Sequence, residues 1–378
     1  MNLQVKRILF QILLLLICEN MSAQKQQTDS TGIFDKLSNL GEVVIDNLTF
    51  PTERGVWAIY PAGGYSSRTG VELGIMPIYS WDANKVAAGS VNTLTSSVQL
   101  STKGMVEISS RLEWFLSSRW QLKTRIDWLR LNDSYWGAWS RNNESRMDYR
   151  SERYGGELSL FRSIKNKFYV GISGSFKNYS IKDEENPPQM LYGAGGGNLT
   201  GFGPTLLFDS RDHVLAPRSG SYLNVSWLIF NDEFLSDYSY KNYLLDFRHF
   251  INIGQPVIAF QALWEHNDGD VPFFALPQLG GKERLRGIGH SNRVIDKEVW
   301  LIKSELRTHI WWRIGGVVFA EAGKASQHTD FSLNDVIYSG GLGLRFRLLP
   351  DEPLNIRLDA ALSTEGQHGI FISLREAF

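Results

Sequence analysis

One cysteine, Cys18, stands in the 378 residues, inside an N-terminal apolar run. Once that run is removed the chain has no thiol, so disulfides and cysteine-based metal sites are excluded, which suits an oxidising compartment. Long apolar runs are just as scarce. Past residue 23 no stretch of eighteen apolar residues occurs, which excludes a helical membrane protein. An excess of one charge is also missing: 39 basic and 40 acidic residues leave a net charge of −1, and nothing points to nucleic acid as a partner. No repeat of solenoid period is present, and the run Gly193-Ala194-Gly195-Gly196-Gly197 lacks the Lys-Ser/Thr that would follow in a phosphate-binding loop.

The N terminus reads Lys6-Arg7, then an apolar run from Ile8 to Ile17, then Met21-Ser22-Ala23. This is the layout of a secretory signal, residues 1–23, with cleavage after Ala23. A lipoprotein signal at Cys18 competes with it, but Ile17 stands where a small residue is expected. Residues 24–55 are polar at first and then place Ile33, Leu37, Leu40 and Val44 at near-helical spacing, as in a short periplasmic lead or plug helix.

From about residue 56 the pattern changes to period two. In Gln121–Arg130, Leu122, Thr124, Ile126 and Trp128 share one face while Gln121, Lys123, Arg125 and Asp127 share the other. Val106, Ile108, Leu112 and Trp114 alternate in the same way with Glu107, Ser109, Arg111 and Glu113; Ile356, Leu358 and Leu362 alternate with Asn355, Arg357 and Asp359. Many consecutive strands that pair an apolar face with a charged one define a transmembrane barrel, with lipid outside and a polar lumen inside. A soluble sandwich also alternates, yet it seldom aligns several charges per strand in this way. Thirty-five glycines and twelve tryptophans suit tight turns and interfacial aromatic girdles.

The expected fold is therefore all-β: a transmembrane antiparallel β-barrel of about 16 strands over residues 56–378, located in a bacterial outer membrane. The first strand is expected at about 56–62, short and with Pro61 at its end, and the last at 368–378. With a periplasmic N terminus, the long connections 131–151, 181–198, 231–237, 267–296 and 324–335 all fall on the outer side, while Ser117-Ser118 and Gly254-Gln255 are inner turns. The connections 81–90 and 210–218 are longer than simple inner turns. Ile370, Ile372, Leu374 and Phe378 share one parity, similar to the C-terminal strand signal by which barrels are recognised for insertion; Glu376 departs from an all-apolar version.

Three features resemble the BamA/TamA family, also called the bacterial surface antigen family, across residues 56–378. Phe208-Asp209-Ser210-Arg211-Asp212 followed by Pro217-Arg218-Ser219-Gly220 is similar to a family turn motif; Pro and Gly set such a turn while Asp and Arg bond its backbone. Leu285-Arg286-Gly287-Ile288 resembles the family's Val-Arg-Gly-aromatic motif in the loop at 267–296, and the terminal strand is the third feature. The resemblance implies that this loop folds into the lumen and that Arg286 meets acids on the next two strands, here Glu305 and Glu321. Burying that guanidinium would require such pairing. Two departures are Glu321 in place of Asp and Ile288 in place of the aromatic. Typical family members also carry periplasmic POTRA domains, for which residues 24–55 are too few, so the expectation is a barrel-only member.

The resemblance implies a role in inserting or translocating other proteins at the outer membrane, where the first and last strands pair weakly and open to template a client strand. Expected partners are outer-membrane lipid and lipopolysaccharide, unfolded barrel clients and a separate periplasmic protein. The alternative is a passive channel or structural barrel, its lumen charges setting ion preference. No cofactor, metal or catalytic residue is expected. Gly-x-Ser-x-Gly is absent, and the histidines are scattered, with His249 and His309 each able to be a lone lumen side chain. Tyr135-Trp136-Gly137-Ala138-Trp139 suits either lipopolysaccharide contact or the outer girdle.

Overall fold

The computed structural model describes residues 49–83, 91–138, 146–165, 167–183, 191–214, 216–347, 355–374 and 376–378. The expected signal segment and the expected lead up to residue 48 lie outside them, as does Trp139. The unit Thr49–Phe378 is a closed antiparallel barrel. Sixteen wall strands form it: β2 (Gly55–Ser66), β3 (Gly70–Asp82), β4 (Val91–Ser101), β5 (Val106–Phe115), β6 (Trp120–Tyr135), β7 (Met147–Lys165), β8 (Phe168–Asp183), β9 (Gly196–Asp209), β10 (Gly220–Phe230), β11 (Tyr240–Asn252), β12 (Val257–Gly269), β13 (Glu298–Trp311), β14 (Ile314–Ser326), β15 (Ile337–Arg347), β16 (Asn355–Ser363) and β17 (His368–Leu374). Each pairs with its sequence neighbour, and β17 returns to β2. A short β1 (Thr49–Pro51) precedes them and pairs with the foot of β2. Part of the stretch expected to be lead, 49–55, is thus a strand and a turn.

Period-two alternation fixes which side chains face lipid. In β14, Val317, Phe319 and Glu321 are buried in the lumen while Val318 is 56% exposed outside. Outward-facing rings form two belts. Trp57, Tyr79, Trp114 and Trp120 lie toward the inner ends of their strands, whereas Trp128, Tyr154, Phe176, Trp227 and Trp264 lie toward the outer ends. Interfacial rings placed in this way mark the two membrane surfaces. β6, β7 and β8, of 16, 19 and 16 residues, exceed the roughly 9–11 residues needed to cross, so they project beyond the outer belt.

Two strand ends differ from expectation. β2 does not stop at Pro61 but continues to Ser66, because a proline is tolerated where the ladder beside it is barely formed. β17 ends at Leu374, and Glu376, Ala377 and Phe378 turn into the lumen. Phe378 is therefore not on the lipid face with Ile370, Ile372 and Leu374. Its ring packs with Phe250, Ala259 and Ala377, with Lys303 Nζ 4.5 Å and the Arg307 guanidinium 5.1 Å from its centroid. Burial against apolar walls and two cations outweighs extension of a lipid-facing strand.

Candidate functional site: the luminal arginine and the seam

The loop joining β12 to β13, residues 270–297, enters the barrel instead of standing over it. Its apolar residues explain why. Leu279, Leu285 and Ile288 pack with Val299, Leu301, Ala325 and Ile337 on the inner wall of β13–β15. Ile288, where the family motif has an aromatic residue, is fully buried in that cluster. Between Leu285 and Ile288 the loop tip carries Arg286, also fully buried.

Arg286 Nε donates to Glu321 Oε1 at 2.7 Å, and its backbone N–H donates to Oε2 of the same carboxylate at 2.6 Å. Its Nη2 lies 2.6 Å from Glu305 Oε1; the pair is a close ionic contact, although the angle is outside hydrogen-bond geometry and leaves both atoms without a directed bond. The structure adds a third carboxylate, Asp359 on β16, whose Oδ2 accepts from Nη1 at 2.8 Å. It also adds a ring, with the guanidinium carbon 3.4 Å from the centroid of Phe319. Paired charges and a π face together replace the water that this cation has lost.

The acids are shared further. Glu305 Oε2 accepts from Arg307 Nε at 2.7 Å, and Asp359 Oδ1 accepts from Arg345 Nη1 at 2.6 Å. Arg345 Nε then reaches Glu376 at 2.8 Å, and Arg307 Nη2 donates to the Phe378 carbonyl at 3.3 Å. A chain of alternating charge thus runs from the loop tip to the inward-turned tail. Neither Asp359 nor Arg345 was singled out from sequence, although Asp359 stood on the charged parity of its strand.

The same loop segment crosses the joint between the last and first wall strands. A Cβ on Gly369 of β17 would clash with the Arg286 carbonyl, and one on Gly289 would lie 2.6 Å from both the His368 carbonyl and Ser67 Oγ. Gly287 N–H donates to Ser339 Oγ at 2.9 Å. Beyond the joint, Arg68 binds Asp133 of β6 and donates to Ser291 Oγ at 2.6 Å, while Asn292 donates to the Ser134 carbonyl at 2.6 Å. Farther out, Phe273 of the loop packs edge-on against Tyr135 and Tyr149. Trp136 turns inward onto His290 and Arg293 instead of joining the outer girdle.

The joint itself is thin. Between β17 and β2 one register pair forms, Ile372 opposite Tyr65, whereas β2 pairs with β3 along its whole length, from Gly55 to Ser66. Gly64 lets the two backbones approach closely, since a Cβ there would overlap the Ile372 carbonyl.

The turn motif sits at the inner rim, between β9 and β10. Arg211 holds Asp209 in two parallel bonds, Nε to Oδ1 at 2.9 Å and Nη2 to Oδ2 at 2.7 Å, and lies over the Tyr222 ring. Asp212 Oδ1 accepts from the backbone N–H groups of His213, Arg218 and Ser219. These bonds hold the Asp212 carboxyl below its usual range against the opposing effect of desolvation, the largest single influence. Gly220 has φ +101°, a conformation that an L side chain resists. Pro217 borders a cavity of about 130 Å³ whose lining also includes Arg307, Arg345 and Glu376.

A nucleophile–base pair is the other chemistry to weigh. Ser221 Oγ and His249 Nδ1 are 2.8 Å apart, but both lie on the lipid-facing parity of their strands, so His249 is not a lumen side chain. No carboxylate pairs with that imidazole among the described residues, and no group of three metal-ligating side chains converges among them.

The geometry defines an outer-membrane β-barrel whose long outer loop enters the lumen and pairs Arg286 with three carboxylates, and whose first and last wall strands share one register pair. The Omp85 superfamily domain model matches residues 87–366, and the chain belongs to that superfamily. No curated protein sequence matches it. Among solved structures, the barrel of BamA from Haemophilus ducreyi, in a form lacking POTRA domains 1–3, is similar with a TM-score of 0.60 at 15% identity, over 86% of this chain and 71% of that one. CdiB from Acinetobacter baumannii and CdiB from Escherichia coli give TM-scores of 0.57 and 0.59 at 10% and 11% identity, each over 86% of this chain. The match spans 60% and 64% of those two chains, less than two thirds of their length.

Proposed function

We propose that this barrel assists the insertion or translocation of other proteins at the outer membrane, with the β2–β17 seam as the place where an extended client segment pairs. The observation that carries the reading is the single register pair between Ile372 and Tyr65. It leaves part of the β2 edge open to strand addition, which ordinary barrels abolish by full pairing. Clients would be unfolded barrel strands, delivered by a separate periplasmic protein, with lipid and lipopolysaccharide around the outer face. Export by residues 1–23 and a periplasmic lead ahead of β1 belong to the same reading, and so does the absence of enzymatic chemistry.

The test is the insertion rate of an unfolded second barrel into lipid vesicles that contain this chain, beside vesicles with a matched porin. Tyr65→Cys with Ile372→Cys supplies the control, since oxidation closes the seam and reduction reopens it. Acceleration that oxidation removes and reductant restores supports the reading. A rate equal to the porin's in both states overturns autonomous insertion and favours a passive barrel, for which the loop across the lumen implies low conductance.

A further inference from the structure

The outer edge of β2 is divided. Its upper end meets β17 at Tyr65, and its foot, Val56, Trp57 and Ala58, pairs with Pro51, Phe50 and Thr49 of β1. Continued in the same register, β17 would bring Phe378 opposite Ile59. The foot is therefore the next stretch of the same edge, and its partner comes from the chain's own N-terminal side. While the tail is held in the lumen by Arg345, Arg307 and Phe250, β1 is the only strand among the described residues that covers the lower part of that edge.

β1 imitates a wall strand. Phe50 stands opposite Trp57 on the lipid-facing parity, 47% and 37% exposed, so it extends the inner aromatic belt that Trp57, Tyr79 and Trp81 form by stacking. A tight turn ties the hairpin: Thr52 Oγ1 donates to the Gly55 carbonyl at 2.8 Å and accepts from the Gly55 N–H at 3.1 Å. Pro51 has no N–H to offer, and three residues give the ladder little length; short strands and prolines are the means by which sheets stop further pairing at an edge.

We propose that β1 is a displaceable cap on the pairing edge of β2, holding the foot of the seam until an incoming client strand takes its place. The proposal rests on the reading of the seam as a client-pairing edge. A crossing strand of about ten residues pairs along far more of β2 than three residues do, so the exchange favours the client. The cap keeps the empty barrel from pairing with strands at random.

Trapping of a strand in trans tests the proposal without any insertion assay. The chain carrying Val56→Cys and Cys18→Ser is placed in lipid nanodiscs with a synthetic peptide of the sequence 46–53, in which Cys replaces the residue equivalent to Pro51, and disulfide formation is measured. Adding Phe50→Pro, which removes the central donor of β1, is expected to raise capture several-fold. Phe50→Gly, which deletes the belt ring and spares the donor, is expected to give a smaller rise and covers the case in which the proline variant does not fold. Equal capture with and without these changes, or capture in none, overturns the cap. Capture as expected without accelerated insertion sinks the insertase reading alone; accelerated insertion with capture indifferent to Phe50 sinks the cap alone.

Discussion

Asp359 Oδ2 accepts a hydrogen bond of 2.8 Å from Arg286 Nη1, although 73 residues separate them along the chain. Through Asp359 the loop tip is joined to Arg345, and through Arg345 to Glu376 in the tail. The loop seat and the inward position of the tail are therefore parts of one charge network.

Arg286→Ala is expected to destabilise the barrel by about 3–5 kcal/mol, because it leaves three buried carboxylates without their shared cation. The denaturant midpoint of the refolded barrel and its heat-modifiable gel shift measure this. A midpoint equal to that of the unaltered chain would show that the loop is not held by this residue.

Asp359→Asn should cost less, on the order of 1–3 kcal/mol, since Arg286 keeps Glu305 and Glu321. Combined with Arg286→Ala, the loss should fall well short of additive, because both changes break one network. Strict additivity in a double-mutant cycle would separate the two residues.

Gly369→Ala places a methyl group 2.1 Å from the Arg286 carbonyl, an overlap between two backbones that one of them must relieve by moving. The loop should lift from its seat, seen as faster proteolysis within residues 280–292 while the strands stay protected. Protection unchanged from the parent chain would mean that the loop does not press on β17.

His290, in the β12–β13 loop against Trp136, has its pKa pushed down to about 4, chiefly by burial, with nearby Asp133 opposing. A depressed folded value means that the unfolded chain binds the proton first. The neutral ring therefore carries no penalty above about pH 6.5, and stability falls as the pH drops from there to about 4, by no more than roughly 3 kcal/mol. Stability against pH should flatten over that window in His290→Gln. An identical slope in both proteins would remove His290 as the cause.

Alternation alone exposed the barrel in the sequence, because lipid outside and water inside impose period two on each wall strand; residues 121–130 carry that signal without help from any neighbour. Arg286, Glu305 and Glu321 were legible as a group only through a family motif. Asp359 was visible as a charge on the inner parity, yet nothing local tells which of many inward charges meets a loop that arrives from far along the chain. Phe319 shares that history: two residues before Glu321, it reads as one more apolar wall position until the guanidinium lies on its ring.

What the amino-acid sequence determined by itself was whatever depends on near neighbours: the wall strands, their inward and outward faces, the inner turns and the lipid belts. Only the tertiary structure decided how the cylinder closes. Parity predicts that Phe378 belongs on the lipid face, but a strand end follows its pattern only while a partner strand holds it. Where β17 meets β2 that partner is nearly absent, and Glu376 and Phe378 find stronger contacts with Arg345, Arg307 and Phe250 in the lumen. Closure is a balance between two distant sets of contacts, and such a balance exists only once the chain has come full circle.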